Sequence, residues 1–154
     1  MLDNIDQMII DEVIRDSDRN IEQLAHAVNL PKSTVHARKK KLEGSGIIRG
    51  YKAIPDYKKI NKELCVFVHV TLKENADTSA VIRYFQKNPN VMEIHTTTGE
   101  VDLIIKARFK DTKELNDFLF QTEHGARHTQ GILKTNSMIA LESFKEDGWN
   151  LVSP

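Results

Sequence analysis

Apolar positions recur at helical spacing through the first fifty residues, and from residue 64 onward the period shortens toward two. Leu2, Ile5, Ile9, Val13 and Ile14 share one side of an opening helix, whose start carries Asp3 and Asp6. Leu24, Ala27 and Val28 mark the face of a second helix over 21–28. Asn20 suits its N-cap, and Gln23 stands three residues on, as a capping box requires. Leu30-Pro31 ends that helix and opens the next, because proline disfavours a helical residue before it yet fits a first turn. The third helix runs to about Glu43, and Gly44 and Gly46 supply its stop. Val35 and Leu42, seven residues apart, point inward. Ser33, Ala37 and Lys40 point the opposite way, with Thr34, His36 and Lys41 on the flanks. A short ribbon over 47–54 would complete a winged helix-turn-helix of about sixty residues.

The second half reads as strands and two more helices. Leu64 to Leu72 is β-branched and aromatic, hence a strand. A helix over 77–87 turns Val81, Ile82 and Phe85 inward and stops at Asn88-Pro89-Asn90. Strands over 91–98 and 101–109 flank the turn Gly99-Glu100. Asp111 caps a helix to about 122 with Leu115, Phe118 and Leu119 on its core face, and a last strand spans 132–144. The order βαββαβ is the ferredoxin-like arrangement. The expected fold class is therefore α+β, with a winged helix-turn-helix in residues 1–60 and a ferredoxin-like domain in 61–154. Helices on one sheet face leave the other free, and a second copy of the chain would cover it. A homodimer is also what a two-fold DNA operator needs.

Charge sharpens the first half. The chain balances 22 basic against 22 acidic residues, yet from Asn20 to Ile60 nine Lys/Arg face three acids, a net +6. Residues 1–19 carry −4 and residues 61–154 carry −2. Such a confined positive patch is the footprint of a surface for double-stranded DNA. The expected contacts are Lys32, Ser33, Thr34, His36, Ala37, Arg38, Lys40 and Lys41: small groups approach base edges and cations meet phosphates. The competing reading of the Lys39-Lys40-Lys41 run is a merely solvated helix face; its place in a punctuated helix pair favours DNA.

Other chemistry is sparse. The single Cys65, within CVFVHV, allows no intramolecular disulfide, fits a reducing cytoplasm and reads as a small core residue. His124 and His128 are four apart, but Gly125 between them and the lack of a third ligand favour a surface loop over a metal site. No apolar run is long enough for a membrane span, and the acidic N-terminus lacks a signal-peptide pattern. No catalytic residue, cofactor, metal or membrane partner is expected.

With both halves placed, the chain resembles the Lrp/AsnC, or feast/famine, family of transcription regulators over nearly its full length. The matching residues are Leu2-Asp3 with Asp6, Leu24-Ala25, Val28, Leu30-Pro31, Ser33-Thr34-Val35, Arg38, Leu42-Glu43, Gly46-Ile47-Ile48 and Gly50-Tyr51 with Ala53. In the second half Thr98-Gly99-Glu100-Val101-Asp102 looks like the family's T-G-x-x-D effector loop. Gly131-Ile132 with Thr135-Asn136-Ser137 resembles its G-V-x-x-T-x-T. The resemblance implies DNA-binding dimers that assemble further into octamers or discs, and small effectors, usually amino acids, bound between dimers. The effector residues it implies are Thr98, Gly99, Glu100, Val101, Asp102, Thr135 and Ser137.

Residue chemistry suits such a ligand. Gly99 admits a carboxylate to backbone N–H groups, Asp102 can take an ammonium, and Thr98, Thr135 and Ser137 offer hydroxyls. The same loop also reads as an ordinary hairpin turn in which Asp102 makes a local backbone bond. Three departures from the family pattern stand out. Lys39 occupies a position that is usually apolar; its stem can pack while its ammonium adds phosphate-binding charge. Ser137 replaces a threonine. The run Gly125-Ala126-Arg127-His128-Thr129-Gln130 is unusually polar. Two alternatives accompany the regulator reading. Some AsnC-like proteins are sirohaem decarboxylases, for which Arg127, His128, His95 and His69 could be recruited. A ligand-independent architectural DNA-binding protein is the other.

Overall fold

A computed structural model of the chain describes residues 2–121 and 125–146, and these form two compact units, one built on residues 2–54 and the other on 55–143. The first unit holds α1 (Asn4–Arg15), α2 (Ile21–Ala27) and α3 (Lys32–Gly44). Each of the first two helices opens on a reciprocal cap. The Asp6 N–H donates to Asp3 Oδ1 at 2.9 Å while the Asp6 carboxylate accepts the Asp3 N–H. Asn20 and Gln23 make the same exchange, both bonds at 2.9 Å. Ile9, Val13, Leu24, Ala25, Val28, Val35 and Leu42 form the buried core between the three helices. The spacing argument placed Ala27 in that core; Ala27 is exposed and Ala25 takes its place. Seven-residue α2 packs against both α1 and α3, which turns its buried side toward Ala25 without widening it. Leu2 and Ile14 are also exposed: Leu2 precedes α1, and Ile14 lies off the buried stripe of that helix.

The ribbon expected over 47–54 is absent: these residues form no strand. A ribbon needs a second strand to satisfy its N–H and C=O groups, and the described residues of this unit supply none. The segment is instead fastened to the end of α3. The N–H groups of Ile47 and Ile48 donate to the Leu42 carbonyl, and the Tyr51 hydroxyl donates to Glu43 at 2.5 Å.

The second unit holds β1 (Leu64–Leu72), α4 (Thr78–Gln86), β2 (Val91–Thr96), β3 (Leu103–Phe109), α5 (Thr112–Phe120) and β4 (Ile132–Ile139). Asp77 and Asp111 cap the two helices. The four strands form one antiparallel sheet in the order β2-β3-β1-β4, the ferredoxin-like order. Alternation along the strands sends Val66, Val68 and Val70 of β1 and Leu103, Ile105, Ala107 and Phe109 of β3 to one face. There they pack with Val81 and Phe85 of α4 and Leu115, Phe118 and Leu119 of α5. Phe109 and Phe118 lie 5.1 Å apart at ring centres. Cys65 is buried at the start of β1.

Two strand limits differ from expectation. The last strand ends at Ile139, not at 144, because the Ala140 N–H already reaches Cys65 at the start of β1 and no partner remains beyond it. The hairpin strands stop at Thr96 and begin again at Leu103, since Thr97 to Asp102 form the connecting loop. The expected helix end at 122 and the loop around His124 lie outside the described residues.

Candidate nucleic-acid interface and effector loop

The N-terminus of α3 is open. Pro31 caps it without a side-chain bond, and its first turn holds no acid. The leading N–H groups of a helix have no partner within it and carry partial positive charge, a chemistry that suits a phosphate. Val35 and Leu42 are fully buried and set the rotation of the helix. As a result Ser33, His36, Ala37, Lys40 and Lys41 are exposed and Thr34 is half-buried.

Ion pairing divides the cations of α3. Lys32 pairs with Glu22, and that hydrogen bond holds the Glu22 carboxyl below its ordinary range. Arg38, expected among the DNA contacts, is turned toward α1. It pairs with Asp3 and lies 3.0 Å from the buried Asp6 carboxylate. The Asp6 backbone N–H, and after it Arg38, hold Asp3 below the usual carboxylate range. Lys39 lies 3.8 Å from Glu43 with its ammonium 4.9 Å above the Tyr51 ring. Partial burial, then the bond to Glu43, push the Tyr51 phenol up to about 12, so it stays a donor at neutral pH. Lys40 and Lys41 form no ion pair among the described residues. The extra phosphate-binding charge assigned to Lys39 is thus spent on a local contact. A fixed spacing rule could not separate Lys39 from its neighbours; the aromatic twelve residues on, Tyr51, was the available signal.

The loop over 97–102, the effector-loop candidate, is stapled to the sheet. The Thr97 N–H donates to the Asp102 carbonyl and the Asp102 N–H to Val70, both at 3.0 Å. Asp102 Oδ2 accepts the Leu72 N–H at 2.7 Å, at the irregularity in β1 between Thr71 and Leu72. A bulge frees a backbone N–H, and the carboxylate satisfies it. Asp102, expected to meet a ligand ammonium, therefore has one oxygen committed to a backbone bond that spans thirty residues of sequence. Gly99 has φ +136°, a conformation that favours glycine, and Thr98, Gly99 and Glu100 are exposed while Val101 is half-buried.

Thr135 and Ser137 sit elsewhere in the sheet. They lie on β4, opposite Val70 and Val68, so β1 separates them from β3 and its loop. Thr135 is buried, and its hydroxyl accepts the Arg127 Nε–H at 3.2 Å; Ser137 is half-buried. Arg127 itself belongs to the polar run that departs from the family pattern. His128 is exposed beside it, and no group of three potential metal ligands occurs among the described residues.

Comparison with known proteins matches both halves. Residues 2–49 fit a family model for winged helix-turn-helix DNA-binding, and residues 65–150 fit the Lrp/AsnC ligand binding domain. The HTH-type transcriptional regulator FL11 of Pyrococcus horikoshii is 32% identical over 145 residues, covering 94% of this chain and 93% of that protein. A transcriptional regulator of Neisseria meningitidis, solved as a complex with L-methionine, has TM-score 0.87 at 26% identity and covers 96% of this chain and 95% of its own. A feast or famine regulatory protein from M. tuberculosis, complexed with L-methionine, has TM-score 0.87 at 25% identity, with 97% and 99% covered.

Proposed function

The chain belongs to the Lrp/AsnC family of DNA-binding transcriptional regulators, and from that premise we propose that it acts as a homodimer whose effector-binding domain controls how paired α3 helices engage DNA. The observation that carries the DNA half is α3 itself: an uncapped, acid-free N-terminus, a face of small and polar residues at Ser33, Thr34, His36 and Ala37, and lysines at 40 and 41 that form no ion pair among the described residues. The first group reads base edges and the lysines hold phosphates.

The uncovered face of the sheet supports self-association. Alternation puts Phe67 and His69 of β1, Ile104 of β3 and Met138 of β4 on the side away from the helices, and Met138 is 47% exposed. A second copy would bury them, giving the two-fold symmetry that half-site reading uses. Further assembly of dimers into octamers is part of the same proposal.

The effector is a small molecule such as an amino acid, held by the 98–102 loop with Thr135 and Ser137. Two solved relatives carry L-methionine, which supports this class. Binding that favours one assembly over another shifts the number of DNA sites engaged together. Analytical ultracentrifugation and operator binding with each of the twenty amino acids test the scheme. At least one is expected to change both properties; no change with any of them removes the amino-acid half of the proposal.

A further inference from the structure

Beside β4, the terminal strand of the sheet, lies a cavity of about 310 Å³ lined by Arg127, Ile132, Leu133, Lys134 and Thr135. That volume suits a small metabolite. The arginine is held in place from several directions. The Gly125 N–H donates to Gln121 at the end of α5 at 2.7 Å, and a Cβ at Gly125 would stand 2.7 Å from the Gln121 backbone N and O. Only glycine allows that approach. It leads directly into the short 3-10 turn Ala126–His128, whose Ala126 is fully buried. Arg127 then lies with its guanidinium 4.5 Å from the Phe120 ring centre and its Nε–H on Thr135. Stacking and one hydrogen bond orient the guanidinium plane and leave both Nη groups to donate. A fork oriented in advance loses little entropy when it binds a carboxylate.

The charge of this cavity is one-sided. Among the described residues its lining contains two cations and no carboxylate, and neither Arg127 nor Lys134 forms an ion pair. Asp102 comes near through Leu72, which pairs with Ile132 of the lining, but the Asp102 carboxylate is bonded to the Leu72 N–H and does not line the cavity. A neutral amino acid would gain a carboxylate contact here and leave its ammonium among cations. A dianion gains at both ends.

We infer that this cavity binds a small dicarboxylate and that Arg127 selects it. The Arg127 Nη groups take one carboxylate as a fork. Thr135, which accepts from Nε, has its own hydroxyl proton left to donate. Lys134 supplies the second positive charge, and Ile132 and Leu133 provide apolar walls for a short methylene chain. This rests on the effector-domain reading above, keeps its small-molecule effector and Thr135, and replaces the amino-acid class by an organic dianion.

Isothermal titration of the full-length protein with glutarate and with L-methionine tests it, using wild type, Arg127→Met, Arg127→Lys and Lys134→Gln. Glutarate is expected to bind the wild type more tightly than L-methionine does. Arg127→Met should weaken glutarate about ten- to a hundredfold, the range for a charge-assisted bond. Arg127→Lys, which keeps charge without the fork, should fall between, and Lys134→Gln, on the surface, should weaken glutarate severalfold. Thermal unfolding without ligand checks that each variant is folded. L-Methionine binding in preference to glutarate, or glutarate affinity unmoved by Lys134→Gln and Arg127→Lys, overturns the dicarboxylate assignment and leaves the effector reading standing. If neither probe nor any amino acid binds, both fall.

Discussion

Lys39 and Lys40 are neighbours in sequence and should behave in opposite ways on DNA. Lys39 is folded onto Glu43 and Tyr51, whereas Lys40 is exposed and has no ion pair among the described residues. Each phosphate neutralised by a lysine steepens the dependence of log affinity on log salt by about 0.9. A dimer presents Lys40 twice, so Lys40→Ala should flatten the slope by about 1.8. Over a roughly fourfold rise in salt, that difference compounds to about tenfold in affinity. Lys39→Ala should leave the slope near wild type and instead cost stability, roughly 0.5–1 kcal/mol for a partly exposed cation–aromatic contact. Fluorescence anisotropy on an operator duplex across a salt series gives the slopes, and denaturant unfolding gives the stability. Equal flattening by both substitutions would refute the assignment of Lys39 to Tyr51. An unchanged slope in Lys40→Ala would refute the docking of α3 by this face.

Three further outcomes follow from the same geometry. Asp102→Ala removes the acceptor for the Leu72 N–H and should destabilise the ligand-free protein by about 1–2 kcal/mol, with Asp102→Asn recovering most of it; thermal melts of both variants check this, and a wild-type midpoint for Asp102→Ala would show the bond to be idle. Gly125→Ala forces a methyl group against the Gln121 backbone and should cost about 1–3 kcal/mol by urea unfolding; an unchanged midpoint would refute the close approach. Asp3 is held below its ordinary value of 3.8, so the stability it contributes is complete above that pH and is lost as pH falls through its lower folded value. Circular dichroism through acid titration should therefore show Asp3→Asn losing less helix signal than wild type below about pH 3.8, and parallel curves would contradict the cap.

Much of the architecture was legible because its causes are local. Asn20 with Gln23, Asp77 and Asp111 each announce a helix start, since a short polar side chain satisfies N–H groups within three residues. Val35 and Leu42 showed which side of α3 faces inward, and so which side is left for the DNA contact proposed above. The change from helical to alternating period separated the two units. What spacing could not deliver was the partner of each polar group. Arg38 belongs to the DNA face by its place in the motif, yet it is claimed by Asp3 and Asp6, more than thirty residues earlier. The ribbon over 47–54 had the composition of a strand, and no strand to pair with it occurs among the described residues of its unit.

The amino-acid sequence by itself determined the helix and strand order, the confinement of positive charge to the helix-turn-helix, and the family pattern at Thr98 to Asp102 and Gly131 to Ser137. Tertiary structure alone decided which cations remain free, that Asp102 closes a gap in β1, and that Arg127 meets Thr135 across the end of the sheet. The difference is physical: periodicity and capping arise from neighbours along the chain, whereas the charge and donors a site can offer depend on which distant groups have already satisfied them.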